Sequence, residues 1–384
     1  MTKNFYLLIG LWIFVCLVSC KAMKFSHAES VNTNNGNEKI ELVKNQVLIN
    51  TQIEGREQSL ALDLGAMVSV LYDTAVIKDF YTREKSTFGS AKGAGSGKIK
   101  ITQLPLTLND SLFSSQNKVF TVINNDALLN KDKCSTVKKL SGVYGADLFK
   151  KNKAILLIDI EEKKLCNLTD SVLTSIIQTG FTEIKSTFGM KIITVYVNID
   201  GKEYPFGFDT GFTGSFTMPY SEDIDFLKDT HISMEGMQAI TITGIQKGTS
   251  DVYEEKKIAI GATDFVTMIS VSTGIKSQNM GMGFMKGFNW VIDYKHKKIY
   301  FKKIAEQQDS KLDSVNNYNA RIVKNKLIVA SRKVNMTEYN IGDEIISVNG
   351  QAVNDTNKCE MLQLLAKSTD WKTVNVITLA VVEN

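Results

Sequence analysis

Histidine is scarce in this chain of 384 residues: His27, His231 and His296 stand far apart, in no H-x-x-x-H or C-x-x-C setting. That leaves little from which to build a zinc site or a serine–histidine–aspartate relay. Proline is equally scarce, three residues against 26 glycines, so strands punctuated by glycine turns are expected rather than proline-rich linkers. Charge of one sign is missing too. Lys plus Arg at 45 against Asp plus Glu at 41 gives a net +4, and loss of Lys3 with a leader would leave about +3, so no nucleic-acid surface is indicated. The apolar run from Phe5 to Val18 has 18 − 5 + 1 = 14 residues, short of the roughly 20 that a membrane-spanning helix needs. What is present is ordinary: 43% hydrophobic and 22% charged residues exclude disorder throughout, collagen and coiled coil. The length suggests two or three domains.

Behind Lys3, the short apolar run reads as the core of a signal peptide over residues 1–19. It ends in Leu17-Val18-Ser19-Cys20, which resembles the lipobox of bacterial lipoproteins. That resemblance implies lipidation of Cys20 and a cell-envelope location, on the periplasmic side or the cell surface, with the lipid as membrane partner. A polar tether rich in Ser, Asn and Glu is expected over residues 20–40. With Cys16 in the leader and Cys20 lipidated, Cys134, Cys166 and Cys359 remain. Either Cys134 and Cys166 pair within the first domain and leave Cys359 free, or all three stay reduced.

An internal repeat organises the middle of the chain. Val47, Ile49 and Ile53 alternate with period two, turn at Glu54-Gly55, and lead into Leu60-Ala61-Leu62-Asp63-Leu64-Gly65. The same phrase returns as Val195, Val197 and Ile199, a turn at Asp200-Gly201, then Phe206-Gly207-Phe208-Asp209-Thr210-Gly211. The offset is 146 at the turn glycine (201 − 55) and again at the aspartate (209 − 63). Each copy closes on a glycine turn, Val143-Tyr144-Gly145 and Gly281-Met282-Gly283, followed by a strand. Two similar all-β lobes follow from this, residues 41–175 and 176–304.

At these residues the chain resembles the two-lobed aspartic peptidases of the pepsin and retropepsin type. Those carry an apolar-apolar-Asp-Thr/Ser-Gly turn in each lobe and an apolar-apolar-Gly turn beside it. The resemblance implies duplicated β-barrel lobes with a cleft between them, an Asp63/Asp209 catalytic pair, and support from Gly65, Thr210, Gly211, Gly145 and Gly283. It implies endopeptidase activity on a polypeptide substrate, with no cofactor and no metal. The chemistry explains the pattern: one carboxyl group must act as base toward water while the other acts as acid toward the leaving nitrogen. Like charges this close cannot both ionise cheaply, so the two hold one proton between them. Leu64 departs from the pattern, standing where a hydroxyl residue is expected. It leaves open a second reading, a non-catalytic peptide-binding lipoprotein with a degenerate dyad.

Other glycine-rich stretches fail as nucleotide loops. Gly93-Ala94-Gly95-Ser96-Gly97-Lys98-Ile99 is one residue short of a phosphate loop and lacks its Ser/Thr. With Gly93, Gly95 and Gly97 at its centre, the stretch from Phe88 to Lys100 is either a flap over the cleft or an ordinary exposed hairpin, and its counterpart in the second lobe is Met237 to Lys247. After a polar linker at 305–317, residues 318–384 read as a strand pair, a hairpin through Ile341 to Gly350, a helix from Lys358 to Lys367 and a last strand. Gly342-Asp343-Glu344-Ile345 followed by Val348-Asn349-Gly350 resembles a PDZ domain, a small α+β peptide-binding family, without a clear carboxylate loop. Either that module holds polypeptide or it packs against the second lobe.

Overall fold

The computed structural model describes residues 31–72, 87–92, 98–123, 134, 140–241, 244–304 and 315–380. The leader, Cys20, and the glycines at 93, 95 and 97 lie outside them. The protein is mainly β, with barrel-like sheets. Among the described residues no helix is long and apolar enough to cross a membrane.

Both hairpins of the repeat form where the alternation places them. Strand Gln46–Ile53 pairs with Arg56–Asp63, and strand Ile193–Ile199 with Lys202–Phe208. Their two-residue turns have both positions left-handed, Glu54 (φ 51°) with Gly55 (φ 72°) and Asp200 (φ 53°) with Gly201 (φ 87°). This is the turn whose twist matches that of paired strands, and glycine adopts it without strain. In Ile193–Ile199 the apolar residues are buried at every second position.

Each inner strand then takes a parallel neighbour. Arg56–Asp63 runs beside Leu140–Gly145, and Lys202–Phe208 beside Asn279–Met280. Strand Val70–Tyr72 is parallel to Phe113–Ile123, and Phe216–Pro219 is parallel to Thr263–Ser272. The halves are joined through a shared sheet in which Ile155–Asp159 pairs antiparallel with Phe288–Asp293. Every residue of Phe288–Asp293 is buried, as a strand covered on both faces must be. One core continues across the junction, from Leu60, Leu62 and Phe120 to Phe206, Phe208 and Trp290.

Residues 318–379 have a separate core around Tyr318, Leu327, Tyr339, Leu365 and Trp371. The helix runs from Lys358 to Lys367, and its buried positions Lys358, Met361 and Leu365 fall on one face. The module is also continuous with the sheet that holds Ile193–Ile199 and Lys202–Phe208. Strand Lys326–Lys333 pairs with Ile232–Thr241 through Met234, Glu235 and Gly236, and Arg332 bonds Glu235 at 2.8 Å. The strand leading into the second-half hairpin, just before Met237, is therefore held along one edge.

Two expectations are corrected. The tether does not reach residue 40, because Asn37–Val43 is a strand between Gln46–Ile53 and Lys164–Asn167, with Ile40 buried. Cys134 pairs with Cys359, not with Cys166, at a Cα separation of 4.8 Å, and Cys166 is free on strand Lys164–Asn167. The bridge ties Cys134 to the helix Lys358–Lys367, a closure across 225 residues that cysteine spacing does not reveal.

Candidate active site

Asp63 ends its strand, and Asp209 follows the last residue of the equivalent one. Each then closes the same tight turn, since Ala66 N donates to Asp63 O and Phe212 N to Asp209 O, both at 3.2 Å. The side chains are caught by the same turns. Asp63 Oδ1 accepts from Ala66 N at 2.8 Å, and Asp209 Oδ1 accepts from Gly211 N at 3.0 Å and Phe212 N at 3.2 Å. Such backbone donors fix a carboxyl group's orientation at little entropic cost.

The two carboxyl groups lie side by side, each against the glycine of the opposite turn. The glycines explain how the turns come so close. A Cβ on Gly65 would lie 2.6 Å from Asp209 Cγ, and one on Gly211 would lie 2.4 Å from Asp63 Cγ. Each aspartate thus occupies the space where a side chain on the opposite turn would be. Burial raises the pKa of Asp63. Burial and the adjacent charge of Asp63 together push Asp209 up to about 8. Two like charges this close favour a pair that carries one proton above the ordinary carboxylate range.

Thr210 supplies the cross-link between turns. Its buried hydroxyl accepts from Leu64 N at 2.8 Å and donates to Leu62 O at 3.0 Å. No reciprocal hydroxyl comes from the first turn, because Leu64 lies in the core at 1% exposure. Gly145 pairs with Asp63, and a Cβ there would strike the Val68–Ser69 peptide at 2.5 Å. Gly283 does the same against Gly214–Ser215 at 2.6 Å. Gly281 shares that role. Met282 N donates to Phe212 O as Ala146 N does to Ala66 O, which puts Gly281 in the ladder position of Gly145.

Three supporting groups escape the sequence reading. Asn279 Nδ2 donates to Asp209 Oδ2 at 2.8 Å. Ser69 Oγ receives Gly145 N at 3.2 Å and donates to Asp147 at 2.8 Å, and Asp147 is ion-paired with buried Lys118. The usable signal for Asn279 lies in aligning the copies, where Gly207 replaces Ala61 at the 146-residue offset. Of the two hairpins expected to be either flaps or ordinary exposed hairpins, the first is formed by Thr87–Lys92 and Lys98–Asn109, and its glycine tip lies outside the described residues.

No family model matches the chain, and no curated protein does. Among solved structures it is similar to conglutin gamma, a basic 7S globulin from lupine seeds, with a TM-score of 0.42 and 9% identity, over 71% of this chain and 95% of that one.

Proposed function

We propose that the chain is an aspartic endopeptidase in which Asp63 and Asp209 activate water against a peptide bond. The observation that carries this reading is the close approach of two half-buried carboxyl groups, each held by its own turn and lying against the glycine of the other. The ionised carboxylate, chiefly Asp63, takes a proton from water as the water oxygen attacks the peptide carbonyl carbon. Asp209 gives its proton to the carbonyl oxygen. As the tetrahedral intermediate collapses, Asp63 gives its proton to the nitrogen, the C–N bond breaks and Asp209 takes a proton back from a hydroxyl, leaving one new carboxyl, one new amine and the dyad as it began. Exposed Met67 and Val68, just after the Asp63 turn, offer apolar surface to substrate side chains.

The recurrence of the same hairpin 146 residues on, and of the same parallel pairings with partner strands offset by 136 (279 − 143) and 148 (269 − 121), supports two duplicated lobes of the pepsin and retropepsin type. The separate core and the strand-and-helix order of residues 318–379 support a PDZ-like third module. The lipobox-like Leu17-Val18-Ser19-Cys20 supports lipid anchoring in a bacterial envelope. Cys20→Ala is expected to move the protein from the detergent phase to the aqueous phase on partitioning, and unchanged partitioning would refute the anchor.

Leu64 favours the second reading, a peptide-binding lipoprotein that does not cut. Wild type and Leu64→Thr, offered a diverse peptide library between about pH 3 and 8, decide between them. Wild type is expected to cleave. Leu64→Thr is expected to cleave up to about tenfold faster as a second cross-turn hydroxyl fixes the dyad. The same change strips buried apolar surface and lowers stability by about 1–3 kcal/mol. Binding by the wild type with no cleavage by either protein would establish the second reading.

A further inference from the structure

The two halves of the dyad are not held alike. Asp63 has backbone donors from its own turn, whereas Asp209 has these and a side-chain donor as well, the Asn279 amide at 2.8 Å. When Asp209 is ionised its oxygens only accept, and the amide nitrogen is the end that serves them. Two sequence differences at aligned positions create the contact. Ala61 faces Val143 across the first parallel pair, and the equivalent positions of the second pair hold Gly207 and Asn279. A Cβ on Gly207 would stand 3.0 Å from Asn279 Oδ1 and 2.6 Å from Ile192 Cδ1, so the missing side chain leaves the space in which the amide lies. Ser277 Oγ, 3.4 Å from the same nitrogen, completes its surroundings. None of Ser277, Gly207 and Ile192 carries charge, and the charged group beside Asp209 is Asp63.

We infer that Asn279, admitted by Gly207, is a positioning residue that clamps Oδ2 of Asp209 and sets the alkaline limit of the shared proton. The inference deepens the endopeptidase reading and rests on it for its link to rate. The geometry gives the sign. A donor to the carboxylate favours its charged form, so the clamp keeps the upper titration of the pair lower than burial and repulsion alone would leave it. It also adds a side-chain hold on the second turn, which receives no cross-turn hydroxyl because Leu64 stands where one would be.

The test uses the full chain carrying 13C-labelled aspartate, with Asn279→Leu, Asn279→Asp and Gly207→Ala beside the wild type. In Asn279→Leu the upper pKa of the carboxyl pair, read by NMR titration, should rise by about one unit. The alkaline limb of kcat/KM for a cleaved peptide should move with it, and kcat should fall about tenfold while KM stays within about twofold. Gly207→Ala should shift the titration in the same direction, because its methyl displaces the amide. Asn279→Asp keeps the side-chain shape, places a like charge beside Asp209, and should shift the titration further. It carries the test should the leucine variant not fold. Unchanged titration in folded Asn279 variants overturns the inference, even if the wild type cleaves peptides. A shifted titration in a protein that cleaves nothing upholds the clamp and removes the endopeptidase reading instead.

Discussion

Asp63→Asn and Asp209→Asn should each reduce peptide cleavage to background, and Asp209→Asn should at the same time make the protein more stable at neutral pH. Either change leaves one carboxyl group where the reaction needs a base and an acid sharing a proton. Loss of at least about 10⁴-fold in kcat/KM is expected, on the scale for removing half of a unit that acts together. The stability effect follows from linkage. Both carboxyl groups have raised pKa values in the folded chain, so the native state keeps a proton that the unfolded state releases. A group raised in this way contributes fully below the unfolded value, near 4, and its contribution is lost as pH rises toward the folded value, about 8 for Asp209. Wild-type Tm should therefore fall between those limits. The amide introduced by Asp209→Asn mimics the protonated carboxyl group at every pH, so the variant's Tm should exceed that of the wild type by a few degrees at about pH 7.5 and converge with it near pH 4. Parallel Tm curves, or residual cleavage within about tenfold of the wild type, would refute the shared proton.

The second large effect is expected from a methyl group. Gly211→Ala places Cβ 2.4 Å from Asp63 Cγ, and Gly65→Ala places it 2.6 Å from Asp209 Cγ. Neither obstacle is the free end of a flexible chain, since both carboxyl groups are anchored on backbone N–H donors. The turns must separate by about an ångström to reach ordinary contact, and catalytic groups misplaced by that much lose about a hundredfold in rate. Both aspartates remain, so the variants isolate geometry from chemistry. Cleavage should fall at least a hundredfold, and the upper pKa of the pair should drop as the two charges move apart. Full activity in either variant would show that the turns do not need this approach.

Much of this arrangement can be read from the chain itself, and the remainder has a common cause. Period-two apolar residues and the Glu54-Gly55 and Asp200-Gly201 turns specify hairpins locally, and both form with the expected pairing. The offset of 146 residues points to Asp63 and Asp209 as partners, and the two side chains meet. The helix Lys358–Lys367 lies where its spacing puts it. What escapes the sequence depends on which distant surfaces touch. The Cys134–Cys359 bridge, the docking of Lys326–Lys333 on Ile232–Thr241, and the pairing of Ile155–Asp159 with Phe288–Asp293 all join segments with no local signal of partnership. Asn279 is of the same kind, because its role depends on a glycine 72 residues earlier (279 − 207) that leaves room for it.

The shared sheet also imposes an order in time. Ile155–Asp159 has Lys164–Asn167 on one side almost as soon as it is made, but its other neighbour ends at Asp293, 293 − 159 = 134 residues later. At about 5–20 residues per second, that is a wait of roughly 7 to 27 s during synthesis. Throughout it a strand of Ile155, Leu156, Leu157 and Ile158 presents open N–H and C=O groups, the kind of edge that pairs with whatever chain is near. The first half cannot finish folding ahead of the second, and a chain broken off between them would leave the cell an unfinished edge to clear rather than a smaller working protein.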